Sequence, residues 1–366
     1  MASRIKKRAD NRYTVTLTLD GKRYFFYGKT QAEAKAKADT ARARLKAGGP
    51  VRDATRSLTD WLNEWTGTYL AISDRAESTK TMHEGYARTW ITPTIGSVPL
   101  GSLTANDINR LLLTMKASGK AESTRRNCYT TLRKALDDAV TNGLLAANPA
   151  HKIRQPGVNR HEARFLTAPE VGRLLQAAET YRYHVVLRFI LGTGLRRGEA
   201  LALRWSDIDF DNAQAKLRGS LTRRGRELIV SGVKTTASRR TVALSPTMVG
   251  LLLQQKGSQA AERVQARNLW RNTDFVFTTA DGAAVEPQNV LRTVREAANS
   301  AGLGPVTVHS LRHTYATAAL LNGVALKVVS ANLGHASIQI TADTYGHVTD
   351  EAARAGAATV AEALGL

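Results

Sequence analysis

Cysteine is almost absent. Cys128 stands alone among 366 residues, so no internal disulfide framework can hold the chain. Its place in the apolar stripe of a helix makes it a small core residue rather than a nucleophile. No apolar run reaches membrane-spanning length, and the opening MASRIKKRAD lacks the apolar stretch of a secretion signal, so the expectation is a cytoplasmic protein with no membrane partner. Acid is scarce as well: 52 Lys and Arg face 31 Asp and Glu, and the formal charge of +21 points to a polyanion, nucleic acid first. A metal cage is missing too. His309 and His313 stand four apart, but Ser310 occupies the place where the zinc-protease pattern needs glutamate, and neither a metal nor a cofactor is expected.

What the chain does hold is concentrated near its C-terminus. In a helix starting near Val308, His309 and Arg312 are three apart and share a face, so they can grip one ligand. A second helix, Ala325 to Leu333, ends at Gly334, which accepts the left-handed C-cap geometry and turns His335 out toward a site. Ser337 suits the N-cap of a short helix carrying Ile338, Ile340 and Tyr345, with Gly346 as its stop; this places Tyr345 at a mobile end. A guanidinium, two imidazoles and a phenol suit an anionic substrate: arginine forks onto phosphate oxygens and a phenolate can attack phosphorus. Taken singly, each histidine reads as an ordinary surface or core residue. Four polar residues in register argue for a site.

HSLRHTYAT, LGHASIQIT and DTYGHV, in this order and spacing, resemble the C-terminal signature of the tyrosine recombinases, the phage-integrase family. Upstream, TGLRRGEALALRWSDID (Thr193 to Asp209) is similar to that family's first-arginine box, with Arg196 as the arginine and Glu199 as its structural companion. VKTTASRRTV (Val233 to Val242) resembles the hairpin that bears the family lysine, here Lys234. The resemblance therefore implies a catalytic set of Arg196, Lys234, His309, Arg312, His335 and Tyr345.

In chain order, RYTVTLTLD alternates Tyr13, Val15, Leu17 and Leu19 against threonines, Asp20-Gly21 suits a hairpin turn, and KRYFFYG returns. Thr30 and Glu33 form a capping box for a helix over Gln31 to Lys46 with alanine on one side and Lys or Arg on the other. Residues 1–50 hold thirteen Lys or Arg against four acids, and this basic module resembles the arm-binding domain of larger phage integrases. Residues 1–56 are assigned to it and its Gly/Pro linker. Residues 57–150 read as helices, from the stripe Leu58, Trp61, Leu62, Trp65, Tyr69 through stretches near 79–91, 104–117 and 123–142, with ITPTIGSVPLGSL as a turn. This part is similar to the family's core-binding domain. Residues 151–164 form a basic, proline-broken linker, 165–348 the catalytic domain, and 349–366 a tail helix with the seam Ala353, Ala357, Val360, Leu364. Within the catalytic domain two helices flank Gly192-Thr193-Gly194. Arg196 therefore opens a helix whose free N–H groups could face phosphate, and segments 214–219, 228–233 and 241–244 form one small antiparallel sheet. The expected fold is thus multi-domain and mainly α with small antiparallel sheets: an N-terminal three-stranded sheet plus helix, a helical core-binding domain, and an α+β tyrosine-recombinase catalytic domain.

By the resemblance, Tyr345 attacks a DNA phosphodiester to give a 3'-phosphotyrosine, Arg196 and Arg312 hold the non-bridging oxygens, and His335 adds a hydrogen bond. His309, titrating near neutral pH, is the candidate base and Lys234 the candidate acid. His313 is read as a buttress of His309. The implied partners are double-stranded DNA at core-type and arm-type attachment sites, three sister subunits in a homo-tetramer, a host DNA-bending protein and an excisionase, in the nucleoid of a bacterial host. A type IB topoisomerase shares this chemistry, a metal-dependent nuclease would need EDTA-sensitive cleavage, and an inactive DNA-binding regulator would not need a complete catalytic set.

Overall fold

The computed structural model describes residues 5–7, 12–19, 22–46, 56–157, 164–232, 239–345 and Leu364. The chain divides into two compact units, Met1–Arg160 and His161–Leu366. The expected hairpin turn at Asp20-Gly21, the linker 47–55, Lys234 and nearly all of the tail lie outside the described residues.

In the first unit, β1 (Ile5–Lys7), β2 (Tyr13–Leu19) and β3 (Lys22–Gly28) form an antiparallel sheet in that order, followed by α1 (Gln31–Lys46). The alternation along β2 sends Val15 and Leu17 against Ala34, Ala38 and Ala41 of α1, all buried. Register pairs Thr14 with Tyr27 and Thr16 with Phe25, so these side chains share the opposite face. Phe25 (54%) and Tyr27 (40%) are exposed there.

The helical part runs through α2 (Leu58–Glu64), α3 (Glu77–Tyr86), α4 (Thr92–Ile95), α5 (Ala105–Ala117) and α6 (Glu122–Thr141). Ser57 and Thr104 cap α2 and α5 through reciprocal bonds with Asp60 and Asp107. The helical run that begins with α3 does not stop at Ile91, as its sequence suggests, but continues into α4. A π-helical stretch, Ala87–Ile91, joins α3 to α4, and the wider Thr92 N–H to Ala87 carbonyl bond carries the chain past Pro93, which has no N–H to offer. Trp61 and Trp65 fill the core and donate their indole N–H groups to the Ala135 carbonyl (2.9 Å) and Asp138 Oδ2 (2.8 Å) of α6. Cys128 is fully buried beside them, and burial pushes its thiol up to about 12, as suits an inert core residue.

The second unit places α7 (Ala168–Ala178), α8 (His184–Thr193) and α9 (Arg197–Ala202) before two small sheets. One sheet of the sequence reading is in fact two. β4 (Ile208–Asp209), β5 (Gln214–Leu217) and β8 (Arg240–Ala243) pair in the order β4-β5-β8, whereas β6 (Gly219–Arg224) and β7 (Glu227–Gly232) form a separate hairpin. β6 ends in Thr222, Arg223 and Arg224, all exposed, so it carries no apolar alternation to reveal it. Two further helices, α10 (Pro246–Ala266) and α11 (Pro287–Ser300), pack with α8 and α12 (Val308–Leu321) around a core that includes Phe189, Ile190, Leu201, Val290, Val294 and Leu311. α13 (Leu326–Leu333) follows, and the last described helix spans 338–345.

Candidate active site

Arg312 lies on α12, whose start is fixed by a Thr307–Ser310 capping box. It is almost wholly buried, at 2% exposure, and its fork is already engaged. Nη1 donates to the Gly194 carbonyl at 2.8 Å and Nη2 to the Leu333 carbonyl at 2.7 Å. Both acceptors sit at helix ends where Gly194 and Gly334 take the left-handed conformation, with φ of 67° and 64°. Burial, then the neighbouring Arg196, lowers the Arg312 guanidinium to about 10, so it stays charged at neutral pH.

Arg196 is the N-cap of α9, as its sequence predicts. Its guanidinium donates from Nη1 to Glu199 Oε1 (2.8 Å) and from Nη2 to the Gly334 carbonyl (3.1 Å). Its own backbone N–H is already engaged, donating to Glu199 Oε2 at 3.0 Å. Glu199 also receives Arg240, at 2.9 Å from Nη2 to Oε2. Burial works to raise the Glu199 carboxyl, but Arg240, then Arg196, holds it below its usual range, so it is ionised.

His335 leaves the chain just past the Gly334 cap, and its Nδ1 lies 2.7 Å from Thr341 Oγ1. Burial, then Arg312, Arg196 and Arg240, brings this imidazole down to about 4. His309 is also lowered, by burial, then Arg312 and Arg196. Both causes favour the neutral imidazole, the form a base needs.

Tyr345 is where the structure departs most from the sequence. It is 3% exposed and packs among Ala316, Leu320, Val329 and Leu333 rather than standing at a mobile end. Its phenol oxygen lies 2.7 Å from His313 Nδ1. The His313 ring meets His309 edge to face at 4.4 Å, which agrees with a buttress, but its bond to Tyr345 is a second role that spacing does not show. Burial, then His309 and Arg312, takes His313 to about 4, and burial raises Tyr345 to about 12.

A cleft of about 620 Å³ opens onto Arg196, Arg197, Thr222, Arg223, His309 and Arg312. Two of these guanidinium groups, Arg223 and Arg197, also face Glu286. His335 and Tyr345 do not line the cleft. Of the six expected residues, five come together in one neighbourhood; Lys234 lies outside the described residues. His313 and Arg240 are the additions. His313 is signalled only by its spacing from His309, and Arg240 by nothing beyond its place in the box that contains Lys234.

Residues 164–352 match the phage integrase family. Over 93% of its length the chain is 30% identical to a tyrosine recombinase XerC-like protein of Caldanaerobacter subterraneus subsp. tengcongensis, of which 94% is covered. It is 27% identical to the integrase of Mycobacterium phage L5, over 86% of this chain and 85% of that protein. The fold resembles the Tn1549 transposon integrase in complex with transposon right end DNA, at a TM-score of 0.70 and 20% identity over 83% of this chain and 99% of that one. It also resembles a lambda integrase tetramer bound to a Holliday junction, at 0.64 and 20%, over 93% and 94%. The match over 164–352 and the relative at 30% identity agree: the chain belongs to the phage integrase family of tyrosine site-specific recombinases.

Proposed function

We propose that the protein is an integrase that breaks and rejoins DNA through a 3'-phosphotyrosine on Tyr345 and a Holliday junction, integrating or excising a mobile element. The observation that carries this reading is the convergence of Arg196, Arg312 and His309 on one cleft, with the Tyr345 phenol one imidazole behind them. Tyr345 Oη forms a bond to phosphorus, the bond from phosphorus to the 5'-oxygen breaks, and the leaving oxygen takes a proton from Lys234. Arg196 and Arg312 hold the non-bridging oxygens as negative charge builds on them, His335 hydrogen-bonds to the same phosphate, and neutral His309 takes the phenol proton. The released 5'-hydroxyl of a partner strand then reverses the reaction.

The described position of Tyr345 is a resting one. Burial raises Tyr345 to about 12 and lowers His313 to about 4, so both shifts oppose proton transfer across their hydrogen bond. The phenol must therefore leave its apolar seat and reach the cleft before it is activated. DNA supplies the reason to move, because a phosphate in the cleft draws on Arg196 and Arg312, which the helix ends now occupy.

Residues 1–56 bind arm-type sites through the exposed face of the β1-β2-β3 sheet, 57–150 and the linker 151–164 bind core-type DNA, and 165–348 cut it. Four copies act together, with a host DNA-bending protein and an excisionase, in the nucleoid of a bacterial host. The 349–366 tail docks its Ala353, Ala357, Val360, Leu364 seam either on its own domain or, as the family's exchange of C-terminal segments favours, on a sister subunit. The charge of +21 supports the DNA partner.

The deciding experiment is cleavage of a nicked suicide duplex. Wild type gives a covalent protein–DNA adduct insensitive to EDTA, and Tyr345→Phe gives none while still binding core DNA. An adduct in Tyr345→Phe, or loss of the adduct with EDTA, overturns the reading.

A further inference from the structure

Three consecutive carbonyls at the C-terminal end of α13 each accept from a different arginine. Asn332 takes Arg240 Nε (2.8 Å), Leu333 takes Arg312 Nη2 (2.7 Å), and Gly334 takes Arg196 Nη2 (3.1 Å). These carbonyls carry the negative end of the helix dipole, so three cations there are favourable. Two of the three, Arg196 and Arg312, also line the cleft. Arg240 does not. Its side chain is 8% exposed, and its other arm lies along the Glu199 carboxylate, at 2.9 and 3.3 Å. Glu199 in turn holds the Arg196 guanidinium and its backbone N–H.

Arg240 thus ties Glu199, which orients Arg196, to the C-terminal end of α13 that presents His335, and Arg196 itself makes a parallel link from Glu199 to the Gly334 carbonyl. Its packing is close enough to depend on glycine. A Cβ on Gly334 would stand 2.4 Å from Arg240 Nη1. Arg240 also opens β8, six residues after Lys234, and β8 is anchored by pairing with β5.

We propose that Arg240 is a positioning residue for strand cleavage: through Glu199 and the Asn332 carbonyl it keeps Arg196 and His335 in register on the scissile phosphate. This rests on the recombinase reading above. The requirement is for a guanidinium rather than for a charge. Only arginine presents Nε and the two Nη groups in one rigid plane, so it can serve a carboxylate on one edge and a carbonyl on the other. Lysine keeps the charge and loses the fork.

The test is Arg240→Lys in the full chain. Since misplacement of a catalytic group by about 1 Å costs on the order of 100-fold, single-turnover cleavage of the suicide duplex should fall by roughly 10- to 100-fold, with the affinity for core DNA unchanged. His335, followed by NMR titration without DNA, should move from about 4 toward its ordinary value, although the nearby charge is kept. Gly334→Ala crowds the same contact from the other side and also strains the left-handed cap that presents His335, so it should lower cleavage at least as far as Arg240→Lys. The double variant should be little worse than Gly334→Ala alone. If Arg240→Lys or Gly334→Ala binds DNA, cleaves at the wild-type rate and leaves the His335 titration in place, the inference is wrong. If both lose DNA affinity and cleavage in the same proportion, Arg240 only supports the fold. A wild-type protein that forms no adduct defeats the recombinase reading instead, and the His335 titration still judges the contact.

Discussion

His313→Ala separates two roles for the residue that touches the Tyr345 phenol. The alanine removes a hydrogen bond worth about 1 kcal/mol and leaves a buried hydroxyl without that partner, at a further cost of about 1 kcal/mol or more. Weakening the docked state by about 2 kcal/mol shifts the balance toward undocked Tyr345 by roughly 30-fold. Nitration of Tyr345, followed by peptide mass spectrometry without DNA, reads this population directly. It should rise by up to that factor in His313→Ala and stay near wild type in His313→Asn, whose amide places a hydrogen-bonding atom close to the position of Nδ1. Covalent adduct formation on the suicide duplex should not fall in His313→Ala. Unchanged nitration would refute docking through His313. Raised nitration with an adduct rate at least a hundredfold lower would make His313 the proton acceptor and displace His309.

Three further outcomes are expected. Lys234→Ala should cleave normal DNA slowly, by a factor on the order of 10² to 10⁴, and recover on a 5'-bridging phosphorothiolate, whose sulfur leaves without a proton; an equal defect on both substrates would reduce Lys234 to a phosphate contact. Folding stability should fall as pH drops from 6.5 through about 4, because the unfolded chain protonates His313 and His335 while the native state holds both neutral; His313→Asn should remove one of these two contributions and make the fall shallower in thermal melts. Replacing Phe25 and Tyr27 together by Ala should erase the footprint on distal arm-type DNA and keep that on core DNA. Loss of both footprints would end the division of labour assigned to the first unit.

Elements with a local cause were legible in the sequence. The β2 alternation, the Thr30–Glu33 cap and the left-handed Gly334 all follow from residues within a turn of one another. The π-helical passage to Pro93 was not, because what favours continuing the helix is the burial of Ile91 and Ile95 in the core, and tertiary packing overrides a local stop signal. Of the β6–β7 hairpin only β7 was legible; β6 was hidden for the opposite reason, because its exposed Thr222, Arg223 and Arg224 carry no apolar signal.

The site divides in the same way. Spacing on α12 puts His309 and Arg312 on one face, but it cannot say what they meet. Arg312 meets a carbonyl 118 residues away, at Gly194, and Arg240 meets one 92 residues away, at Asn332. Arginine is a donor wherever it stands, so the sequence reads it as a phosphate ligand, whereas the folded chain first spends its N–H groups on helix ends. The seat of Tyr345 is less visible still. Ala316, Leu320, Val329 and Leu333 have the spacing of ordinary core residues, and only the packing of α12 against α13 makes them a pocket for a phenol. A nucleophile held in such a seat is restrained by apolar contact and by one imidazole. The residues that set its resting state are therefore not the ones that carry out its chemistry, and substitutions in this pocket should change how often Tyr345 is presented without changing what it does once there.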